Sequence, residues 1–317
     1  MKNTPLVSVL IPAYNSREYI QECIYSVVNQ SYANIEIVVV DDGSTDDTVG
    51  ICRSLDYQIT LIEQQNTGRG GARDRALKNA NGEYIAFLDH DDLLINSSIE
   101  ERVNFLESNK DIGWVFTDAM EFDEAGDLKL FLDQFPWLDL KEDNFSQLLK
   151  GCFPLTSTVM IQSHLLRRVG GFNRALNYGE DLELFLRLLL ISKVGMMRKV
   201  LTRRRIHPGQ AVSSTFDRWN SRVKIYSNFK PFVGEMSQQQ KTALGRALKH
   251  SYFKLGEYYW GAYGLSRARS CFFRSIGLNS WTTKSIAYLM LLFFFPISLL
   301  RIARNLKRRI VSKLDNT

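Results

Sequence analysis

Asp89, His90, Asp91 and Asp92 stand in a row where an apolar run, Tyr84-Ile85-Ala86-Phe87-Leu88, comes to an end. Three carboxylates repel one another, and folding alone does not call for them there. Asp89 and Asp91 are two residues apart, so in an extended segment they point the same way. Oxygen donors arranged like this suit a hard divalent cation, Mg2+ or Mn2+, which would relieve the repulsion and leave a positive centre. The local alternative is that Asp91 or Asp92 caps the next helix.

Other groups with chemical potential are spaced along the chain in the same way. Asp41-Asp42 closes a second apolar run, Ile35 to Val40, and leads into Gly43-Ser44. One of the two fits an Asx turn, and the other is left to accept hydrogen bonds from a nucleotide base or ribose. Asn66-Thr67-Gly68-Arg69-Gly70-Gly71-Ala72-Arg73 is a glycine-rich entry to a helix, whose amides and Arg73 suit a phosphate. Glu180 and Asp181 open an amphipathic helix, where they serve either as a base or as acids favoured by the helix dipole. His207 follows Arg203-Arg204-Arg205, and its imidazole is either structural or a contact to phosphate or metal. The arginine run is either a solvated basic face or a surface for an anionic substrate.

The elements that must position these groups alternate in type. Leu6 to Ile11, Ile35 to Val40, Ile59 to Ile62 and Tyr84 to Leu88 read as solid apolar strands. Between them, Tyr19 to Val28 (with Ser16 as N-cap), a segment opening at Thr45 or Asp46, and Gly70 to Ala80 read as helices. Strands of this kind separated by helices predict a mostly parallel α/β sheet covered on both faces. Ligands bind such sheets beyond the carboxyl ends of the strands. Three of the four ends carry polar clusters: Pro12-Ala13-Tyr14-Asn15, Asp41-Asp42 and Asp89 to Asp92. Further on, Ile112 to Thr117 and Ser157 to Ile161 read as strands, Gly170-Gly171-Phe172 as a turn and Glu180 to Leu190 as a helix.

After about residue 216 the chain reads as helical. Ala247 to Ile276 fits either one tetratricopeptide-like helix pair or a plain helical hairpin. Ile286 to Leu300 is apolar except for Pro296, with Trp281 and Tyr288 at its start and Arg301, Arg304, Lys307, Arg308, Arg309 and Lys313 after it. It falls short of the ~20 residues of a spanning helix and suits the membrane surface, its basic end on anionic headgroups; the alternatives are a buried C-terminal helix with a solvated basic end and a single tilted span. The net charge of +6 therefore points to a membrane. A nucleic-acid partner is not expected, because the basic residues flank an apolar run and do not interleave with stacking aromatics. Four scattered cysteines without a CxxC pair predict neither a zinc site nor a disulfide framework. No signal peptide is expected. A cytoplasmic protein, peripheral at the inner face of the cell membrane, is the resulting expectation.

No G-x-G-x-x-G follows the first strand and no Walker lysine is present, which argues against NAD and against a P-loop. The segments VSVLIPAYN, VVVDDGSTDDT, NTGRGGARDRAL, GEYIAFLDHDD, GGF at 170 to 172 and EDLELFLR from Glu180 occur in an order and spacing that resemble the family 2 glycosyltransferases. The resemblance covers roughly residues 5 to 215 and implies a GT-A (Rossmann-like) domain over 1–215. A helical region, 216–280, and an apolar, basic tail, 281–317, follow it.

The resemblance implies a nucleotide-sugar donor, of UDP type, bound by Pro12, Tyr14, Asn15, Asp42, Asn66, Arg73, Asp89 and His90. It implies Mn2+ or Mg2+ held by Asp91 with Asp89 and His207, Asp181 as the base, and Glu180 on the acceptor side. His90 stands where a small or acidic residue is more common. The processive-synthase Gln-x-x-Arg-Trp motif is missing, which predicts single additions. The acceptor would be a glycan or lipid-linked sugar. One base facing a departing diphosphate predicts inversion at the anomeric carbon. The alternative is a non-catalytic nucleotide-sugar or polysaccharide-binding protein.

Overall fold

The computed structural model describes residues 4–276 apart from 152, 153, 177, 211–213 and 263. The apolar tail, 281–317, and Cys152 lie outside the described residues. Among the described residues no helix is long and apolar enough to cross a membrane. The described residues divide into two compact units, one on either side of 212/213.

The first unit contains β1 (Val7–Ala13), α1 (Ile20–Val28), β2 (Ile35–Asp41), α2 (Thr48–Ser54), β3 (Ile59–Glu63), α3 (Gly68–Lys78), β4 (Tyr84–Phe87) and β5 (Leu93–Leu94). It continues with α4 (Ser98–Ser108), β6 (Ile112–Asp123), β7 (Gly126–Leu130), α5 (Asn144–Lys150), β8 (Val159–Gln162), α6 (Ser163–Val169), α7 (Glu180–Ile191) and β9 (Lys193–Arg205). The strands form one sheet in the order β3-β2-β1-β4-β8-β6-β9-β5, with β7 paired to β6. The β3-β2-β1-β4 block is parallel, as solid apolar strands lead one to expect. Beyond β4 the sheet is mixed: β8 is antiparallel to both β4 and β6, and β9 runs parallel to β6 and antiparallel to β5.

Every residue of β1 is buried, so the strand is covered on both faces. On one face Val9, Ile11, Val39, Ala86, Val115 and Met160 pack with Ile20, Ile24 and Val27 of α1 and Ile99, Val103 and Leu106 of α4. On the other, Trp114 of β6 stacks on Phe185 of α7, with ring centroids 5.4 Å apart. Each such aliphatic side chain removed from water stabilises the fold by ~1.5–3 kcal/mol. Ser16 does not cap α1. The helix starts at Ile20, and Ser16 instead turns the chain ahead of it, its carbonyl accepting from Tyr19 N and Ile20 N. Gly170 and Gly171 both have positive φ, +83° and +71°, and the first closes α6 in the left-handed conformation glycine favours.

The second unit contains α8 (Thr215–Asn228), α9 (Gln238–Gly261) and α10 (Leu265–Ile276). Helix α9 starts at a capping box in which Ser237 and Gln240 satisfy each other's backbone N–H. It pairs with α10 as a hairpin. Gly256 has no side chain because the Phe272 ring occupies that space: a Cβ there would lie 2.7 Å from the ring.

Candidate active site

The register aligns Ala13 with Asp41 and Leu10 with Phe87, so β1, β2 and β4 finish on one edge of the sheet. At the end of β1, Asn15 adopts φ +48° and holds the neighbouring loop: its N–H donates to Ser44 Oγ and its Oδ1 accepts from Thr45 N at 2.8 Å. Tyr14 beside it is open to solvent, 46% exposed. Pro12 offers its carbonyl to His90 Nδ1 at 3.3 Å.

Both aspartates after β2 are buried and engaged. Asp41 makes the Asx turn, its Oδ2 accepting from Gly43 N and Ser44 N, while its Oδ1 is buried without a partner. Asp42 anchors the glycine-rich entry to α3. Its Oδ1 accepts from Thr67 N and Gln64 Nε2, each at 2.8 Å, and its Oδ2 from Gly68 N at 2.8 Å. On either side of the anchored Thr67 and Gly68 the chain presents Asn66 and Arg69 to solvent.

Arg73, on α3 and only 2% exposed, is the centre of the site. Its Nη2 donates to Asp89 Oδ1 at 2.5 Å and its Nη1 to Glu180 Oε1 at 2.6 Å; its Nε is buried without a partner. One guanidinium thus joins the end of β4 to the start of α7. Burial opposes the Arg73 charge, but the Asp89, Glu180 and Asp181 charges override it and the guanidinium is held more firmly protonated. Burial would raise the Asp89 pKa, yet Arg73 and then Arg69 hold it below the usual carboxylate range. For Glu180, burial and then the Asp181 charge win over Arg73, and its pKa is raised. Burial raises both partners, and they move oppositely because Arg73, Arg69 and His90 all lower Asp89, whereas the adjacent Asp181 charge raises Glu180. Asp181 is half-buried in the first turn of α7, its Oδ1 accepting from Leu182 N at 2.7 Å. Gly179 precedes this turn at φ +75°. Gly70 of α3 packs against Glu180, leaving only 3.4 Å between a Cβ there and the Glu180 side chain.

Asp91 and Asp92 face apart. Asp91 Oδ2 lies 3.1 Å from His207 Nε2, and the His207 ring packs against Tyr19 at 4.7 Å. Asp92 points inward, its Oδ2 accepting from Ser157 Oγ at 2.6 Å and its Oδ1 from Arg205 N at 3.1 Å. Burial, with the Asp91 and Asp89 charges, pushes the Asp92 carboxyl well above its usual range. Asp91 and Asp92 therefore do not cap a helix, and α4 begins later, at Ser98.

The expected ligand trio of Asp89, Asp91 and His207 is not assembled. Among the described residues no three His, Cys, Asp or Glu side chains gather as a metal cluster, because Asp89 turns toward Arg73. An oxygen and an imidazole nitrogen, Asp91 Oδ2 and His207 Nε2, remain together. That pair fits a hard divalent cation that takes its other ligands from phosphate and water. The arginine run is not a bare basic face: Arg203 pairs with Asp127, Arg204 with Glu121 and Arg205 with Glu22.

Sequence reasoning singled out neither Ser157 nor Arg205 individually. Ser157 is 1% exposed, and its Oγ also accepts from Asp89 N at 3.0 Å. The polar trio Thr156-Ser157-Thr158 running straight into an apolar strand was the available signal. Arg205 donates from Nε to the Asp91 carbonyl, also at 3.1 Å, and covers the Tyr19 ring at 4.9 Å.

The model of glycosyl transferase family 2 matches residues 8–170. The UDP-Glc:alpha-D-GlcNAc-diphosphoundecaprenol beta-1,3-glucosyltransferase WfaP of Escherichia coli is 35% identical over 216 residues, which cover 67% of this chain and 81% of WfaP. Staphylococcus aureus TarS 1-349, solved in complex with UDP-GlcNAc, superimposes with a TM-score of 0.66 at 19% identity, over 94% of this chain and 88% of that one. The mannosyltransferase PcManGT of Pyrobaculum calidifontis, solved with GDP-Man and Mn2+, superimposes with a TM-score of 0.59 at 18% identity, over 96% and 88%. The two structural likenesses are of fold.

Proposed function

Because this chain belongs to glycosyl transferase family 2 and is a glycosyltransferase of the GT-A fold, we propose that it moves a sugar from a UDP-sugar to a hydroxyl of a lipid-linked or surface-polysaccharide acceptor. The transfer inverts the anomeric carbon. The observation that carries this reading is the rim itself, where the Asp89–Arg73–Glu180 chain and the Asp91–His207 pair meet at the carboxyl ends of the parallel strands. The donor and acceptor classes follow WfaP, whose name specifies UDP-Glc and a diphosphoundecaprenol-linked sugar.

In this reading Tyr14, Asn15 and Asn66 line the nucleoside end, with Pro12 and Asp42 shaping its floor. Asp42 acts mainly by holding the Gln64–Gly68 loop. Arg73 keeps Asp89 ionised and oriented toward the ribose side, with His90 adjoining. Asp91 and His207 hold Mn2+ or Mg2+, which, when bound, offsets the charge gathering on the departing diphosphate. Asp181 accepts the proton of the attacking hydroxyl, a role worth ~10²–10⁴-fold in rate. Glu180, fixed by Arg73, adjoins it on the acceptor side and keeps a negative field there. The 281–317 tail places the enzyme on the cytoplasmic face of the membrane, where a lipid-linked acceptor is found.

The test is a screen of nucleotide sugars for Mn2+-dependent release of nucleoside diphosphate, repeated with Asp181→Asn. The variant should lose transfer by at least ~10²-fold while binding UDP-sugar as the wild type does. Transfer that survives in Asp181→Asn removes the base; release that ignores Mn2+ and Asp91→Ala removes the metal. Binding of the full chain to anionic liposomes, weakened by salt and lost in a chain ending at 280, tests the membrane assignment.

A further inference from the structure

The four-residue turn from Asp89 to Asp92 is closed by its own backbone, Asp92 N donating to Asp89 O at 3.0 Å. One hydrogen bond does not fix how such a turn sits on the sheet. Ser157, on the 3-10 turn Thr156–Thr158 ahead of β8, supplies what is missing. Its single hydroxyl uses both of its capacities on the turn: the oxygen accepts from Asp89 N, and the hydrogen goes to Asp92 Oδ2. Its carbonyl in turn accepts from Thr202 Oγ1 of β9 at 3.1 Å, and Thr202 is fully buried. Three residues on, β9 returns to the turn through Arg205, whose N–H meets Asp92 Oδ1 and whose Nε meets the Asp91 carbonyl. His207 follows two residues later. The strand that delivers the imidazole is thus bonded to the segment that delivers the carboxylate, and Ser157 lies between them.

We propose that Ser157 is a positioning residue for donor binding: it clamps both ends of the Asp89–Asp92 turn to β9, and so sets Asp91 opposite His207. Ser157 touches no substrate in this scheme. It acts through the turn. Without its hydroxyl the Asp89 amide and the Asp92 carboxylate each lose a buried partner, and the turn is free to rotate Asp91 away from the imidazole. The inference rests on the reading of Asp91 and His207 as the diphosphate and cation side of the donor site.

Two measurements on the full chain decide it, one of them free of metal. Hydrogen–deuterium exchange of the segment spanning 88–93, in the metal-free protein, reads the clamp. Titration of UDP with and without Mn2+ reads its consequence. Ser157→Ala should speed exchange of that segment about tenfold and weaken Mn2+-dependent UDP binding about tenfold, the loss of roughly one net hydrogen bond. Ser157→Thr keeps the hydroxyl and should restore both to near wild type. Thr202→Val, which cuts only the bond to the Ser157 carbonyl, should move both in the same direction by less, and serves if Ser157→Ala does not fold. A merely structural serine would lower the melting temperature and leave the UDP affinity of the folded fraction unmoved. Unchanged exchange in Ser157→Ala, or faster exchange with unchanged Mn2+-dependent affinity, overturns the proposal. If the wild-type chain itself binds no UDP with Mn2+, the donor reading falls, and the positioning role falls with it.

Discussion

Replacing Arg73 with methionine tests the centre of the site, because the same guanidinium neutralises two acids that no other described residue contacts as closely. Arg73 and the Glu180 side chain are almost wholly removed from solvent, 2% and 5% exposed, and Asp89 is partly so. Removing one partner of a buried ion pair costs ~3–5 kcal/mol, since the survivor is left charged and dry. Here two survivors remain, but both relieve the cost by taking up a proton. The net loss at neutral pH should therefore stay near ~3–5 kcal/mol and not double. The pH dependence has a definite sign. Asp89 has a depressed pKa in the folded chain, so its contribution is present above its unfolded pKa and is lost as pH falls through the lower folded value. The variant has lost that contribution already. Urea unfolding of wild type and Arg73→Met should thus differ most near pH 7 and converge in acid. Arg73→Lys should recover little, because one ammonium does not reproduce a fork that spans both carboxylates. A loss below about 1 kcal/mol at pH 7, or one that is equal at pH 7 and in acid, would refute the reasoning.

Three further outcomes are expected. Asp92 has a raised pKa in the folded chain, so it stabilises the fold in acid and that contribution is lost as pH rises; Asp92→Asn should therefore gain on wild type from about pH 4 upward, read as a growing difference in melting temperature in metal-free buffer. His207→Ala should raise the Mn2+ concentration that half-saturates UDP binding by at least ~10-fold, measured by calorimetry on the folded protein. Gly171→Ala places a Cβ at φ +71° and 2.8 Å from Oδ1 of Asp74, a carboxylate whose Oδ2 Arg174 and Lys78 already hold, so it should cost about 1–3 kcal/mol in thermal unfolding.

The first half of the sheet and its polar rim were legible because the signal there is local. Val7–Ala13, Ile35–Asp41 and Tyr84–Phe87 are strands buried on both faces, and such strands advertise themselves as unbroken apolar runs. Their ends, Asp41-Asp42 and Asp89 to Asp92, were visible for the same reason. The direction of the later strands was not legible. Val159–Gln162 is as apolar as the others, yet it pairs antiparallel with both neighbours, a choice made by contacts far away in the chain. Lys193–Arg205 carried no strand signal, and its arginine run read as a solvated basic face or a surface for an anionic substrate; the charges are tolerated in a strand because Arg203, Arg204 and Arg205 each meet an acid brought by another segment. Pairing also decided which groups meet inside the site. Asp89 read as a metal ligand, and its attachment to Arg73 is invisible from spacing. Ser157, with no charge and no motif of its own, became legible only where the turn, β8 and β9 met.

His207 sits 116 residues after Asp91, at the far end of β9. On a ribosome adding ~5–20 residues per second, Asp91 is made roughly 6–23 s before its imidazole partner. Arg73 likewise waits for Glu180, 107 residues downstream. During that interval the parallel strands are free to form while their acidic rim is exposed, unpaired and self-repelling. The pairs that close the rim are therefore among the last to be completed as the unit is made, and they join its early segments to its late ones.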